Sequence, residues 1–171
     1  KYRPEIVTLG KKVDLKKTGK YLKPEQMHEL FEKGEDMVVV DMRNNYEWEV
    51  GRFDGAIQPD TVRFFELPEK VKNLKIDKNK KVVTYCTGGI RCEKATALLA
   101  EEGFTDVYQL EGGIVKYLEK YPDGHFKGKN FVFDDRMVIN TDTESGKEVL
   151  GKCAHCGKAS DRYIDCAKPD C

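Results

Sequence analysis

The sequence lacks any run of apolar residues long enough to cross a bilayer, and it lacks an excess of charge of either sign. Its 171 residues hold 30 basic and 30 acidic side chains, so the formal net charge is zero. The first absence argues against a membrane-spanning helix, and the second argues against a globally basic nucleic-acid binder. No signal peptide is visible, and we expect a cytoplasmic protein with no membrane partner.

Charge is unevenly distributed over the first 23 residues. This segment holds eight bases against two acids, Glu5 and Asp14. The bases are Lys1, Arg3, Lys11, Lys12, Lys16, Lys17, Lys20 and Lys23. A solvated surface is the ordinary role of such a run, and a strip that contacts phosphates is the alternative.

Apolar runs typical of buried strands alternate with helical patterns along most of the chain. The predicted strands cover Glu5–Leu9, Met37–Asp41, Lys81–Tyr85 and Val107–Leu110. The predicted helices run from Pro24 toward Lys33, from Asn44 through Gly51, from Leu67 to Leu74, from Arg91 to Glu102 and from Gly113 to Tyr121. This alternation predicts an α/β fold with a central, mainly parallel sheet flanked by helices. Ligands of such folds bind at the carboxyl ends of strands, where Cys86 and Asp41 lie.

A glycine-containing loop joins the third predicted strand to the fourth predicted helix. Its sequence is Cys86-Thr87-Gly88-Gly89-Ile90-Arg91. A thiol beside a cation at a helix N-terminus has a lowered pKa, so we expect Cys86 to be an activated thiolate supported by Arg91. Gly88 and Gly89 let several backbone N–H groups point inward as an anion cradle. An inert buried cysteine is the alternative for Cys86.

Cys92 lies on the apolar stripe of the same helix, three positions before Ala95 and seven before Leu99. This pattern favours a structural buried thiol. The functional alternative is a second thiol that resolves an adduct on Cys86.

Five further polar residues are considered as possible members of the site. Asp41 and Arg43 follow a predicted strand and are either supporting site residues or a buried ion pair and capping network. Glu47 is interpreted as structural. His28 and His125 show no partner pattern and are interpreted as surface residues.

The chain changes in character after Pro122. Residues 123–128 are rich in turn formers, and two short strands are predicted near 131–134 and 137–139. From Gly151 onward the chain is poor in large apolar residues and cannot form a hydrophobic core of its own. A stable fold there needs a covalent or metal cross-link.

Four cysteines crowd the last 19 residues. They are Cys153, Cys156, Cys166 and Cys171. Four thiolates match a tetrahedral zinc ion, and a site with four sulfur ligands is closed and therefore structural rather than catalytic. The first pair, with two residues between its cysteines, is a strong signal, and the second pair is looser. Two disulfides, redox-active thiols or an iron–sulfur cluster are the alternatives.

The loop of residues 86–91 resembles the Cys-x4-Arg active-site loop of rhodanese domains. Three further segments are similar to that family: residues 41–49 with its Asp-x-Arg pattern, residues 51–57, and residues 103–114. Related phosphatases have one residue more in the loop, so this length favours sulfur over phosphate. The resemblance implies a catalytic role for Cys86, as the carrier of a persulfide, and for Arg91. It also implies an anion-binding loop made of Thr87, Gly88, Gly89, Ile90 and Cys92.

Within rhodaneses, the chain resembles the tRNA uridine(34) hydroxylase branch. The resemblance rests on residues 85–94, residues 5–10 and residues 131–136, and it extends over nearly the whole chain. It implies oxygen-dependent 5-hydroxylation of the wobble uridine, with tRNA as the partner. Members carry a further N-terminal domain, and we expect this chain, which opens on Lys1, to be a fragment of a longer protein.

Oxygen insertion does not follow from the residues themselves, which show no flavin or nucleotide motif. We hypothesise a reactive adduct of Cys86 with oxygen. A thiosulfate-type sulfurtransferase, which takes a small sulfur donor, is the alternative function. A non-catalytic rhodanese interaction module is a further alternative.

These patterns divide the chain into four segments. Residues 1–23 are a first strand with a basic linker, and residues 24–122 form the rhodanese domain. Residues 123–150 form an extension, and residues 151–171 form a cysteine-rich module similar to a zinc knuckle.

Overall fold

Strands and helices alternate along the described part of the chain, which is residues 7–139 and 148–162 of a computed structural model. In chain order the elements are β1 (Lys20–Leu22), α1 (Pro24–Glu32), β2 (Met37–Asp41), α2 (Asn45–Val50), β3 (Gly51–Phe53), α3 (Leu67–Val71), β4 (Lys81–Tyr85), α4 (Ile90–Glu101), β5 (Asp106–Leu110), α5 (Gly113–Lys120), β6 (Phe126–Gly128), β7 (Asn130–Phe131) and β8 (Val138–Ile139). Short 3-10 turns cover Leu15–Lys17 and Phe64–Glu66. Among these elements, none is a helix long and apolar enough to span a bilayer.

The central sheet has four strands in the order β1-β5-β4-β2, and every pairing in it is parallel. Val39 lies opposite Val83, and Thr84 lies opposite Gln109. Parallel strands are covered on both faces, which explains the continuous apolar run of β4. The predicted α/β fold with a parallel sheet flanked by helices is confirmed.

The two faces of the sheet support separate apolar clusters because successive side chains of a strand point in opposite directions. Val40 and Val82 belong to the cluster beneath α3 and α4, which also contains Cys86 and Cys92. Val39, Val83 and Tyr85 belong to the cluster beneath α1 and α5. The loop of residues 86–91 therefore leaves the sheet between two packed layers, which hold Cys86 in place.

The predicted strand at Glu5–Leu9 is wrong over its described part, because residues 7–9 form no strand. The edge strand of the sheet is instead β1, which lies in the segment interpreted as a basic linker. Gly19 precedes it and accepts a hydrogen bond from Gln109 Nε2 at 3.0 Å. A Cβ on Gly19 would lie 2.9 Å from the carbonyl oxygen of Val107, so a glycine is needed for this close approach to β5.

The chain after Pro122 folds back onto the α/β core. β6 pairs antiparallel with β3, with Phe126 opposite Phe53 and Gly128 opposite Gly51. A Cβ on Gly51 would lie 2.2 Å from the carbonyl oxygen of Lys129, so the returning chain requires glycine there. β7 and β8 then form an antiparallel pair that overlaps the two predicted short strands. This return brings Phe133 to the loop of residues 86–91, next to Arg91.

Candidate active site

The loop of residues 86–91 connects the carboxyl end of β4 to the first turn of α4. Gly89 precedes the helix with φ of 93°, a left-handed conformation that suits glycine. The N-terminus of α5 supports the loop from below, since the N–H of Ile114 donates to the carbonyl of Cys86 at 3.0 Å. A Cβ on Gly113 would lie 2.3 Å from that same carbonyl oxygen. The position of Cys86 is therefore fixed from both sides.

Cys86 is 1% exposed, and its sulfur accepts a hydrogen bond from the N–H of Gly89 at 3.1 Å. A hydrogen bond from Cys92 and the positive charge of Arg91 lower the pKa of Cys86 to about 6, although burial of the thiol acts in the opposite direction. Backbone N–H groups of Arg91 and Gly89 act in the same direction. At neutral pH the group is a thiolate, which is the nucleophilic form of cysteine.

Arg91 is bound to the carboxylate of Glu47, a residue that the sequence predicts to be structural. Its Nη1 and Nη2 atoms lie 2.6 and 2.7 Å from the two carboxylate oxygens of Glu47. The hydroxyl of Thr87 lies 3.2 Å from both partners. Burial disfavours the charged form of Arg91, but the pairing with Glu47 outweighs burial and raises the pKa of Arg91. Glu47 thus fixes the cation that faces the Cys86 thiolate.

The position of Glu47 in the sequence signals a helix cap, so it does not reveal the pairing with Arg91. Glu47 is the third residue of α2, and its Oε2 accepts the N–H of Asn44 at 3.1 Å as part of a capping box. That role explains the residue locally, and the link to Arg91 spans 44 positions of the chain. Only the fold brings these two residues together.

Cys92 lies directly against Cys86 and is fully buried in the cluster beneath α4. Burial, together with hydrogen bonding to Cys86 and its negative charge, raises the pKa of Cys92 well above its ordinary value. Cys92 therefore keeps its proton and donates it in a hydrogen bond to the neighbouring thiolate. The burial agrees with the structural interpretation, while the contact with Cys86 gives the thiol a role in the site.

Asp41 and Arg43 form a fully buried ion pair at the end of β2. Arg43 Nε lies 2.9 Å from Asp41 Oδ1, and Nη2 lies 2.6 Å from Oδ2. Nη2 also donates to the carbonyl of Gly51 at 2.5 Å, which ties β2 to β3. Burial opposes the charge on Arg43, yet Asp41 raises the pKa of Arg43 above its ordinary value. The pair supports the scaffold below the loop rather than facing a ligand.

A cavity of about 550 Å³ opens beside the Cys86 sulfur. Its lining includes five loop residues predicted for the site: Cys86, Thr87, Gly88, Ile90 and Arg91. Phe64 and Phe133 line it from outside the loop. Phe133 is 67% exposed, and its ring centroid lies 5.7 Å from the guanidinium carbon of Arg91. The site is thus an apolar cavity with a thiolate and a paired cation on one side.

Comparison with known protein families agrees with this geometry. Residues 23–120 match the Rhodanese-like domain, which is more than half of the chain. The chain belongs to the rhodanese family. Residues 127–171 match the family described as Rhodanase C-terminal, so the segment that carries Phe133 is also a recognised part of such proteins.

This rhodanese is similar to curated proteins of chlamydial bacteria. It is 46% identical over 174 residues to the tRNA uridine(34) hydroxylase of Protochlamydia amoebophila, covering 100% of this chain and 54% of that protein. It is 43% identical over 175 residues to the protein of the same name from Chlamydia caviae, covering 100% of this chain and 53% of the relative. The chain spans about half the length of the curated relatives it matches.

Solved structures share the fold of this rhodanese. A rhodanese-like domain from Anabaena sp. superposes with a TM-score of 0.53 at 21% identity, covering 63% of this chain and 78% of that one. Thiosulfate sulfurtransferase from Pseudomonas aeruginosa superposes with a TM-score of 0.50 at 24% identity, covering 59% of this chain and 19% of that one. These likenesses establish the architecture of the α/β domain.

The first two tail cysteines of the rhodanese lie on a tight turn. The N–H of Gly157, at φ of 69°, donates to the carbonyl of Cys153 at 2.9 Å, and Lys152 pairs with Ala159 across the turn. Backbone N–H groups of Cys156 and His155, with the Cys156 thiol, lower the pKa of Cys153. A turn that aims N–H groups at sulfur fits two ligands of a thiolate metal site. Cys166 and Cys171 lie outside the described residues.

The structure also brings together His28 and His125, for which the sequence shows no partner pattern. His28, Glu32 and His125 each place one potential ligand atom within 4.8 Å of the other two. His125 Nε2 lies 2.7 Å from Glu32 Oε1. Their separation by almost 100 positions hides this cluster from the sequence, although His28 and Glu32 stand one helical turn apart on α1.

The basic strip of the first 23 residues is partly paired at the surface. Lys11 lies 3.1 Å from Glu101, and Lys20 lies 3.6 Å from Asp106. Such exposed pairs fit the solvated interpretation, and Lys11 and Lys12 also line a depression next to Thr8 of the active-site cavity.

Proposed function

We propose that this rhodanese is the reactive part of a tRNA-modifying enzyme that hydroxylates C5 of the wobble uridine, U34. The observation that carries the proposal is the buried Cys86 thiolate at the wall of an apolar cavity of about 550 Å³ that Phe133 also lines. The names of relatives that are 43–46% identical over the whole chain supply the substrate. Localisation in the cytoplasm, where tRNA is modified, is part of the same proposal.

The cavity suits a base more than an inorganic anion alone. A pyrimidine is planar, and an exposed aromatic ring such as Phe133 offers a stacking surface worth about 1–3 kcal/mol per base. Cys86 acts as the nucleophile, and Arg91 stabilises its charge. Thr87, Gly88, Gly89 and Ile90 shape the loop around the reacting atoms. Asp41 and Arg43 hold the strand end on which the loop rests.

The net reaction replaces C5–H of uridine with C5–OH, a two-electron oxidation of the base. With dioxygen as the oxidant and thiols as the reductant, one uridine, one dioxygen and two thiols yield one 5-hydroxyuridine, one water and one disulfide. The chain supplies the thiolate environment for this chemistry. The tRNA itself is expected to need the portion of the relatives that this chain does not cover.

Replacement of Cys86 by Ser in a protein that spans the full length of the relatives tests the proposal. We expect 5-hydroxyuridine to disappear from cellular tRNA, measured by nucleoside mass spectrometry, while the variant keeps the thermal stability of the wild type. Normal levels of 5-hydroxyuridine in the variant would refute the role of Cys86. Glu69→Gln, at an exposed position outside the cavity, is the control for a substitution elsewhere.

A sulfurtransferase is the second candidate, favoured by the short loop that places the N–H of Gly89 on the Cys86 sulfur. The thiolate attacks the outer sulfur of thiosulfate, the S–S bond breaks, sulfite leaves, and a persulfide remains on Cys86. Transfer to cyanide or a thiol then regenerates the thiolate. A mass gain of one sulfur on Cys86 fits both candidates, whereas hydroxylated uridine fits only the first. The intact pair of Cys86 and Arg91 counts against a non-catalytic interaction module.

We also propose that Cys153, Cys156, Cys166 and Cys171 hold one structural zinc ion. The turn around Cys153 and its lowered pKa support this assignment, because a metal binds the deprotonated thiol. Cys153→Ser should lose one equivalent of zinc by elemental analysis of protein prepared without a histidine tag. Titration showing all four thiols oxidised would exclude the site.

A further inference from the structure

A cluster of two imidazoles and one carboxylate lies where α1 meets the segment that leads into β6. Its members are His28 and Glu32 on α1 and His125 just before β6. None of the three lines the active-site cavity beside Cys86. The cluster therefore calls for an explanation separate from the proposed hydroxylase.

Both imidazole rings are held by contacts that fix their orientation. The His28 ring stacks on Tyr121, with a centroid distance of 3.9 Å and an angle of 6°, and its Nδ1 lies 2.9 Å from the Tyr117 hydroxyl. The His125 ring stacks on Phe31 at 4.7 Å. Histidines that bind metals are commonly oriented by a hydrogen bond on the other ring nitrogen, which is the role Tyr117 would have for His28.

The Tyr117 hydroxyl links the two histidines through a single buried group. It accepts the backbone N–H of His125 at 3.2 Å and contacts His28 Nδ1. Tyr117 is fully buried, so the position of this hydroxyl is set by the core. When Nδ1–H of His28 donates to Tyr117, the lone pair on Nε2 is available to a metal ion.

The spacing of the three ligand atoms allows a metal to enter with small movements. Tetrahedral zinc with bonds of about 2.0–2.1 Å separates its ligand atoms by about 3.3 Å. The three atoms lie within 4.8 Å of one another, so the cluster closes with shifts of at most about 1.5 Å. Glu32 supplies that freedom, since its side chain is 61% exposed while that of His125 is 28% exposed.

We propose that His28, Glu32 and His125 form a binding site for a divalent transition-metal ion, with Zn²⁺ as the representative ion. Imidazole with one carboxylate is a donor set that Zn²⁺ and its neighbours prefer over Ca²⁺ or Mg²⁺. Three protein ligands leave a position for water. The ion would link α1 to the start of β6, and so would fasten the returning C-terminal segment to the α/β core.

The test compares zinc binding by the full chain and three variants. Glu32→Gln and His125→Asn each remove one ligand, whereas Glu29→Gln is the matched control because Glu29 lies on the same helix and is also 61% exposed. Equilibrium dialysis against ZnCl2 should give one equivalent less in both ligand variants than in the wild type and in the control. The tail cysteines are unchanged throughout, so their zinc cancels in the comparison.

Two further measurements distinguish loss of a metal ligand from misfolding of a variant. Co²⁺ bound by nitrogen and oxygen lacks the intense sulfur charge-transfer absorption of thiolate-bound Co²⁺, so the spectrum of the second equivalent identifies its ligands. Tyr117→Phe keeps the ring in the core and removes the orienting hydroxyl, and should weaken zinc affinity about tenfold. Equal zinc stoichiometry in the wild type, Glu32→Gln and His125→Asn would overturn the proposal. So would sulfur charge transfer for every bound Co²⁺.

Discussion

Arg91 donates to Glu47 through two parallel hydrogen bonds of 2.6 and 2.7 Å, and the pair joins the first turn of α4 to α2. The pair is almost entirely buried, with side-chain exposures of 11% and 0%. The cation that faces the thiolate is thus held at a fixed position instead of swinging toward solvent.

The first prediction concerns this ion pair. Glu47→Gln leaves a buried arginine without its counter-charge, and breaking such a pair costs about 3–5 kcal/mol. We expect the free energy of unfolding in urea to fall by about 3 kcal/mol. Glu69→Gln, which removes an exposed partner of Lys72, should cost less than about 1 kcal/mol. Equal decreases in the free energy of unfolding in Glu47→Gln and Glu69→Gln would show that the buried pair of Arg91 and Glu47 contributes no more than an exposed one.

The second prediction concerns the ionisation of Cys86. Iodoacetamide reacts slowly with a protonated thiol and fast with a thiolate. The alkylation rate of Cys86 should therefore rise with pH, with a midpoint at about 6, and level off above neutrality. Peptide mapping by mass spectrometry separates Cys86 from the other cysteines. A midpoint near the ordinary thiol value of about 8.5 would contradict an activated thiolate.

The third prediction separates Cys92 from a purely structural role. The Cys92 thiol donates a hydrogen bond to the Cys86 thiolate and thereby lowers the pKa of Cys86. Cys92→Ala removes the donor, so the midpoint of Cys86 alkylation should move to higher pH. Cys92→Ser keeps a donor at the same place and should shift the midpoint less. Identical midpoints in both variants and in the wild type would show that Cys92 only fills space.

The fourth prediction concerns the aromatic wall of the cavity. Loss of a stacking ring costs about 1–3 kcal/mol. In a protein that spans the full length of the relatives, Phe133→Leu should therefore lower kcat/KM for the proposed uridine hydroxylation about tenfold or more. Phe65→Leu is the control, because Phe65 is another exposed phenylalanine, at 48%, and does not line the cavity. Persulfide formation from thiosulfate should be unchanged in Phe133→Leu. An equal loss in both reactions would indicate damage to the loop instead of a lost base contact.

Most of the α/β core could be predicted from the sequence because its signals are local. β2 and β4 are apolar runs of five residues whose predicted limits match the structure. α1 begins at Pro24, which suits the first turn of a helix, as predicted. The loop of residues 86–91 follows from the strand before it and the helix after it.

The missed features depend on contacts between distant parts of the chain. β1 has three residues and one buried side chain, Leu22, so it carries no periodic pattern and exists because β5 offers it a partner. β6 lies in a segment that reads as turns, and its pairing with β3 joins residues about 75 positions apart. The capping role of Glu47 is visible locally, whereas its pairing with Arg91 arises only on folding.

The contact of Phe133 with Arg91 brings segments that match two different sequence families to one cavity. Cys86 belongs to the segment that matches the Rhodanese-like domain, and Phe133 belongs to the segment that matches the Rhodanase C-terminal family. Exchange of the α/β domain alone between relatives would move Cys86 but leave behind Phe133, the ring proposed to stack on the base. Chimeras intended to change the substrate must therefore carry both segments together, because the domain that holds Cys86 does not contain Phe133.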